Sequence, residues 1–155
     1  VAATRFASAG PVDPEFAALR ARVLRIEQDT LAASGPPHRY GDVLTVLASS
    51  YAREGTPGGW TGHYQGGPIG YAQREFEIAP VQHGSRWYAT PVAYGHAVAW
   101  NPSLPGGAKA EDTYLVSETG LHRVTTAAGG PGPGWPAENE DDSVMPPRPA
   151  VLEVA

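Results

Sequence analysis

The sequence contains no cysteine. That removes disulfides, thiolate nucleophiles and Cys-ligated zinc together, and it leaves the redox compartment open. Long apolar runs are also missing: nothing approaches the ~20 apolar residues that a membrane-spanning helix requires. The first residues, Val1-Ala2-Ala3-Thr4-Arg5, lack the basic stretch and apolar run of a secretory signal, so the expected location is the cytoplasm. Positive charge is scarce, with 11 Lys and Arg against 16 Asp and Glu and a formal net charge of −5. A chain so balanced is not shaped to grip nucleic acid or an anionic membrane. The loose basic cluster Arg20, Arg22 and Arg25 reads as the solvated face of a helix. An initiator methionine is absent too, which is expected of a fragment or of a non-standard start codon translated literally.

What is present suits one domain, since 155 residues can bury a core. Asp13-Pro14-Glu15 reads as a helix start: Asp caps, Pro fits the first turn, and Glu favours the positive end of the dipole. Phe16, Leu19, Val23 and Ile26 then recur at helical spacing and predict about five turns, ending near Gly35-Pro36-Pro37. A second helix is predicted over Tyr40 to Glu54, with Val43, Leu44, Leu47 and Tyr51 on one face and Gly55 as its stop. From Thr56 onward glycines punctuate short apolar and aromatic runs. Strands are expected over Ile69 to Phe76, His96 to Trp100, Thr113 to Val116 and around Leu121 to Thr125. Helices followed by strands imply an α+β class, with helices packed on one face of an antiparallel sheet. Residues 127–155 read as a loop and tail rich in Gly, Pro and acid, whose last residues could dock back as an edge strand. The expected domain is therefore 1–126.

Chemistry-bearing residues gather in three segments: Gly62-His63-Tyr64-Gln65-Gly66-Gly67-Pro68-Ile69-Gly70-Tyr71, Trp100-Asn101-Pro102-Ser103 and Lys109-Ala110-Glu111-Asp112-Thr113. Glycines around His63 and Gln65 let backbone approach a ligand closely. Each segment alone also reads as a plain hairpin turn or strand entry. The other histidines, His38, His83, His96 and His122, read as structural or solvated.

The order of these segments is similar to that of the pita-bread family of aminopeptidase P, prolidase, methionine aminopeptidase and creatinase. That family runs through an Asp-Ile-Thr-Arg strand, a long and a shorter helix, a His-Gly-Ile-Gly…His-Glu loop, a Thr-Ile-Glu-Pro strand and an Ile-Glu-Asp-Thr strand. This chain offers Ala2-Ala3-Thr4-Arg5, two helical segments, Gly67-Pro68-Ile69-Gly70-Tyr71-Ala72-Gln73-Arg74-Glu75, Ala99-Trp100-Asn101-Pro102 and Ala110-Glu111-Asp112-Thr113. It also resembles a bacterial subgroup with a His-x-Gln-Gly-Gly-x-x-Gly-Tyr loop and a Trp-Asn-Pro strand. The resemblance spans Ala2 to about Thr125 and implies the C-terminal part of a pita-bread domain, with helices on a curved, mainly antiparallel sheet.

In the family's metallopeptidases two Asp, one His and two Glu hold paired divalent ions that activate a water. The resemblance puts the first Asp upstream of Val1 and the second at Ala2. The His falls at Gly67, the first Glu at Asn101 and the second at Glu111; a further His of the family becomes Arg74, beside Glu75. Neutral or absent side chains at most of these positions predict no catalytic metal and no cofactor.

Creatinase works without metal, so one expectation is a metal-independent hydrolase of a small C–N substrate. His63 would shuttle the proton, and Glu111 and Glu75 would orient it or hold a cation. Arg74 would bind a substrate carboxylate, Gln65 and Asn101 would add polar contacts, and Tyr64, Tyr71 and Trp100 would wall the pocket. The alternative is a non-catalytic remnant serving as a binding module. In either case a homo-oligomer, or a partner chain supplying the missing half of the fold, is expected.

Overall fold

The protein is described by a computed structural model over residues 1–71, 87–125 and 150–154. Strand β1 (Ala7–Ala9) leads to helix α1 (Pro14–Ala32) and helix α2 (Tyr40–Arg53), and a single 3-10 turn (Gly59–Gly62) follows. Strands β2 (Gly66–Ile69), β3 (Ala97–Trp100), β4 (Ser103–Leu104), β5 (Ala108–Lys109), β6 (Asp112–Ser117), β7 (Gly120–Arg123) and β8 (Leu152–Val154) complete the described elements.

The helices form where their caps and stripes direct. Asp13 Oδ1 accepts from the Glu15 N–H at 2.7 Å and the Phe16 N–H at 3.4 Å, satisfying donors that the first turn leaves orphaned. At the start of α2, Asp42 Oδ2 turns back to accept from the Arg39 N–H at 2.8 Å. Val23, Ile26 and Leu31 of α1 meet Tyr40, Val43, Leu44, Leu47 and Tyr51 of α2 in one buried cluster. Side chains of this size each contribute roughly 1.5–3 kcal/mol on full burial, before entropy is set against it. Gly41 is required here, because a Cβ at that position would sit 2.2 Å from the Tyr88 ring.

The sheet order is β2-β3-β6-β7, antiparallel throughout. Its helix-facing side completes the core with Val98, Trp100, Tyr114 and Val116. The class is α+β, as expected. Strands β3, β6 and β7 fall within a residue or two of their expected bounds. The segment expected as Ile69 to Phe76 is strand only up to Ile69, earlier than anticipated, and its remainder from residue 72 lies outside the described residues. The last described residues form β8, which pairs in parallel with β1 through Ala7↔Leu152. Residues 126–149 of the expected tail lie outside the described residues.

Candidate functional site

Alternation along the strands sorts the sheet's two faces. Ala99 pairs with Thr113 and Trp100 with Asp112, and side chains along a strand point to opposite faces in turn. Val98, Trp100 and Tyr114 face the helices and are fully buried. Ala99, Asn101, Glu111 and Thr113 therefore share the other face. There a cavity of about 750 Å³ opens, lined by Ala2, Tyr64, Gly67, Tyr71, Asn101 and Glu111 among others. Residues distant in sequence thus converge on one concavity.

The N-terminal segment is fastened alongside β6. The Thr4 N–H donates to the Glu111 carbonyl at 2.8 Å, and Thr113 Oγ1 bonds both the N–H (2.8 Å) and the carbonyl (3.0 Å) of Ala2. Arg5 Nη2 reaches Asp112 Oδ1 at 2.7 Å and the Thr125 carbonyl at 3.0 Å, with the Arg123 guanidinium 3.8 Å from Asp112. Arg5 and Asp112, in segments aligned separately by the resemblance, form one anchor. It sets Ala2 and Thr4 beside Glu111.

Each cavity position is held by its own local bonds. In the orientation its neighbours dictate, Asn101 Nδ2 donates to the Tyr64 carbonyl at 2.8 Å and the Gln65 carbonyl at 3.2 Å. The Asn101 backbone N–H donates to the same Gln65 carbonyl at 3.0 Å. Asn101 is thus a clasp between the glycine loop and the end of β3. Glu111 Oε2 takes Lys109 Nζ at 2.9 Å and the Thr4 hydroxyl at 3.2 Å. Gly67 has φ +135°, a conformation that strains any residue with a Cβ. Its neighbour Gly66, at φ +86°, lies so close to β3 that a Cβ would fall 2.0 Å from the Ala99 carbonyl oxygen.

A second polar cluster lies at the other side of the same loop. His63 Nε2 is 2.6 Å from Ser103 Oγ, and His63 Nδ1 is 2.7 Å from the Tyr64 carbonyl. The buried Gln65 amide places Nε2 2.9 Å from the Trp60 carbonyl and 3.3 Å from His63 Nε2. Tyr51 Oη accepts from the Ser103 N–H at 2.8 Å and stands 3.0 Å from Gln65 Oε1 and the Ser103 carbonyl. Burial raises the Tyr51 phenol above its ordinary range, with the bonds to Ser103 and Gln65 opposing the shift.

The residues expected to act together are therefore divided. Asn101, Glu111, Tyr64 and Tyr71 line the cavity. His63 and Gln65 do not; they belong to the Ser103 cluster. Trp100 is not a wall of the site but a core residue, fully buried with Nε1 donating to Ser34 Oγ at 2.9 Å. Arg74 and Glu75 lie outside the described residues. Sequence reasoning gave no site role to Ser103, Lys109, Thr4 or Tyr51, although Ser103 and Lys109 lie in the segments it singled out. Lys109 was legible in principle, since residues two apart in extended chain share a face.

The donor set does not fit a pair of divalent ions. Such ions want several anionic oxygens, and the aligned positions supply a methyl group, a bare backbone, a neutral amide already donating to two carbonyls, and one carboxylate paired with Lys109. Among the described residues no three of His, Asp and Glu stand close enough to share a metal. No described helix is long and apolar enough to cross a membrane.

No family model matches the chain, and no curated protein matches it. Solved structures do. An X-Pro aminopeptidase from Thermotoga maritima MSB8 superposes with a TM-score of 0.56 at 19% identity, over 81% of this chain and 35% of its own. A dipeptidase from Pyrococcus horikoshii OT3 gives 0.59 at 20% identity over 81% and 35%. A dipeptidase from Mycobacterium ulcerans gives 0.58 at 22% identity over 81% and 33%. These are pita-bread peptidases, and the likeness is one of fold. The chain spans about a third of the length of these neighbours.

Proposed function

We propose that this part of a pita-bread domain is a ligand-binding module, taking a small polar guest into the cavity between the glycine loop and Glu111. The carrying observation is that positions aligned with metal ligands now bind the protein itself. Asn101 clasps the loop through the Tyr64 and Gln65 carbonyls, and Glu111 is paired with Lys109. Restoring a metal centre would require freeing Asn101 from both loop carbonyls and refitting Gly67 at a backbone angle hostile to side chains. The cavity instead offers an amide side chain, a carboxylate whose ion pair is partly exposed, and Tyr64 at its lining, with Tyr71 fully exposed at its edge. That combination suits a small ammonium or guanidinium group, or the amino end of a short peptide. Such a guest would compete with Lys109 for Glu111. With Lys109 about a third exposed, the pair contributes on the order of 1 kcal/mol, so a better-placed cation can displace it.

Calorimetric titration tests the reading. A Xaa-Pro dipeptide such as glycyl-proline, the substrate class in the names of two neighbours, should bind and survive intact by NMR; Glu111→Gln should weaken it several-fold. Stoichiometric binding of Mn²⁺, Zn²⁺ or Co²⁺ centred on Glu111, with metal-dependent hydrolysis of the dipeptide, overturns it.

A second reading, a metal-independent hydrolase of a small C–N bond, draws support from Glu111, Asn101 and Tyr71 sharing one cavity. It assigns substrate grip to Glu111, Glu75 and Arg74 and proton transfer to His63, which would have to reach the cavity from the Ser103 cluster. Turnover lost about 10²–10⁴-fold in His63→Ala, with binding retained, is its signature. Both readings include a contribution from the rest of the fold, whether from preceding sequence, a partner chain or a second copy.

A further inference from the structure

We propose that Ser103 is a nucleophile activated by His63, a covalent site separate from the Glu111 cavity and independent of the binding reading. The argument starts from where the protons must be. His63 Nδ1 lies 2.7 Å from the Tyr64 carbonyl oxygen, which can only accept, so Nδ1 carries the hydrogen. At the other end, Gln65 Nε2, a donor only, lies 3.3 Å from His63 Nε2 and 3.3 Å from the His63 carbonyl oxygen. Gln65 is fixed in that orientation, with Nε2 to the Trp60 carbonyl at 2.9 Å and Oε1 taking the Tyr51 hydroxyl at 3.0 Å. This arrangement suits the tautomer with its hydrogen on Nδ1 and its lone pair on Nε2. In that tautomer Ser103 Oγ, 2.6 Å from Nε2, donates to it.

The result is a relay from Ser103 O–H to His63 Nε2, with Nδ1–H held by a carbonyl. This is the geometry in which an imidazole removes the proton of an attacking hydroxyl and a third group fixes the tautomer. A backbone carbonyl takes the orienting place that a carboxylate fills in the triad. Ser103 itself is pinned, since Tyr51 accepts from its N–H and sits against its carbonyl. His63 is exposed and Ser103 half-buried, so an electrophile can reach them.

The step balances without a co-reactant. Ser103 Oγ bonds to the carbonyl carbon or phosphorus of an activated ester or phosphonate as its proton passes to His63 Nε2. The bond to the leaving group breaks, and His63 returns the proton to that group or to water. The Ser103 N–H, a natural donor to the developing oxyanion, is spent on Tyr51. The expected outcome is therefore stoichiometric acylation or phosphonylation, with slow release, rather than fast turnover.

The test is to incubate the 155-residue chain with a fluorophosphonate probe and map the adduct by peptide mass spectrometry. One adduct at Ser103 is expected, labelled about 10²-fold or more slowly in His63→Ala and not at all in Ser103→Ala. Mapping the wild-type adduct needs no variant, so misfolding of a variant cannot mask the answer. No labelling of the wild type, labelling elsewhere, or an unchanged rate in a folded His63→Ala variant overturns the proposal.

Discussion

Replacing Asn101 by Asp changes one atom type and almost no volume, yet it should damage this protein more than most half-buried substitutions. The amide nitrogen donates to the Tyr64 and Gln65 carbonyls at 2.8 and 3.2 Å. A carboxylate there loses both hydrogen bonds, worth about 1 kcal/mol each, and sets a negative charge against two carbonyl oxygens. Partial exposure moderates that charge term to about 1 kcal/mol, giving a total near 3 kcal/mol. For a chain of this size each kcal/mol moves Tm by roughly 2–4 °C, so circular dichroism should record a fall of about 6–12 °C at pH 7. The deficit should also depend on pH. A protonated carboxyl can donate to one carbonyl, so folding raises the introduced group's pKa. Between the unfolded value, ~3.9, and that raised value the folded state binds more protons. Stability relative to wild type must then recover as pH falls through that window. A variant within ~1 °C of wild type at pH 7, with a difference flat in pH, refutes the clasp. It would also remove the chief support for the binding reading.

Gly66→Ala should cost more than ~3 kcal/mol in urea unfolding, because the new methyl group would lie 2.0 Å from the Ala99 carbonyl oxygen at φ +86°. Gly58→Ala, at a similar φ of +77° with nothing within 4 Å, should cost only about 1–2 kcal/mol; equal losses would assign the effect to backbone conformation instead of close approach. Alkaline pH gives a third measurement. Burial pushes the Tyr40 phenol up to about 12, and Tyr51 and Tyr114 shift the same way. Because the folded state keeps protons that the unfolded chain has lost, stability is whole below pH ~10 and declines as pH rises toward 12. Tyr40→Phe should flatten that decline without abolishing it, and an unchanged slope would mean that Tyr40 titrates alike in the folded and unfolded states.

The helices were legible in the sequence because two signals coincide in each. Asp13 caps where the Phe16, Leu19, Val23 and Ile26 stripe begins, and Val43, Leu44, Leu47 and Tyr51 repeat on one face. Strands β4 and β5, two residues each, carry no periodicity to read. The β1–β8 pair joins the two ends of the chain, a pairing that no local pattern encodes, although a returning edge strand could be anticipated from the apolar last residues.

The site was half legible, and one rule separates the two halves. Order along the chain brought Gly67, Asn101 and Glu111 to one place, but it said nothing about which way each neighbour points. Alternation does. Trp100 sits between Ala99 and Asn101, so once Asn101 faces the cavity Trp100 must face the core, and there its indole finds Ser34. Tyr64 lines the cavity, so His63 and Gln65 on either side of it turn away together and meet Ser103 and Tyr51. Lys109 and Glu111 stand two apart on extended chain, so they share a side and pair. His63 was expected at Glu111 because its residue type suits proton transfer, and parity overrides residue type. The glycine loop thus presents two chemistries, one on each side. The Glu111 carboxylate faces the cavity, while an imidazole within hydrogen-bond distance of a serine faces outward. Because the two sets share only the backbone of Tyr64 to Asn101, Ser103→Ala should leave guest binding at Glu111 untouched, and Glu111→Gln should leave Ser103 labelling untouched.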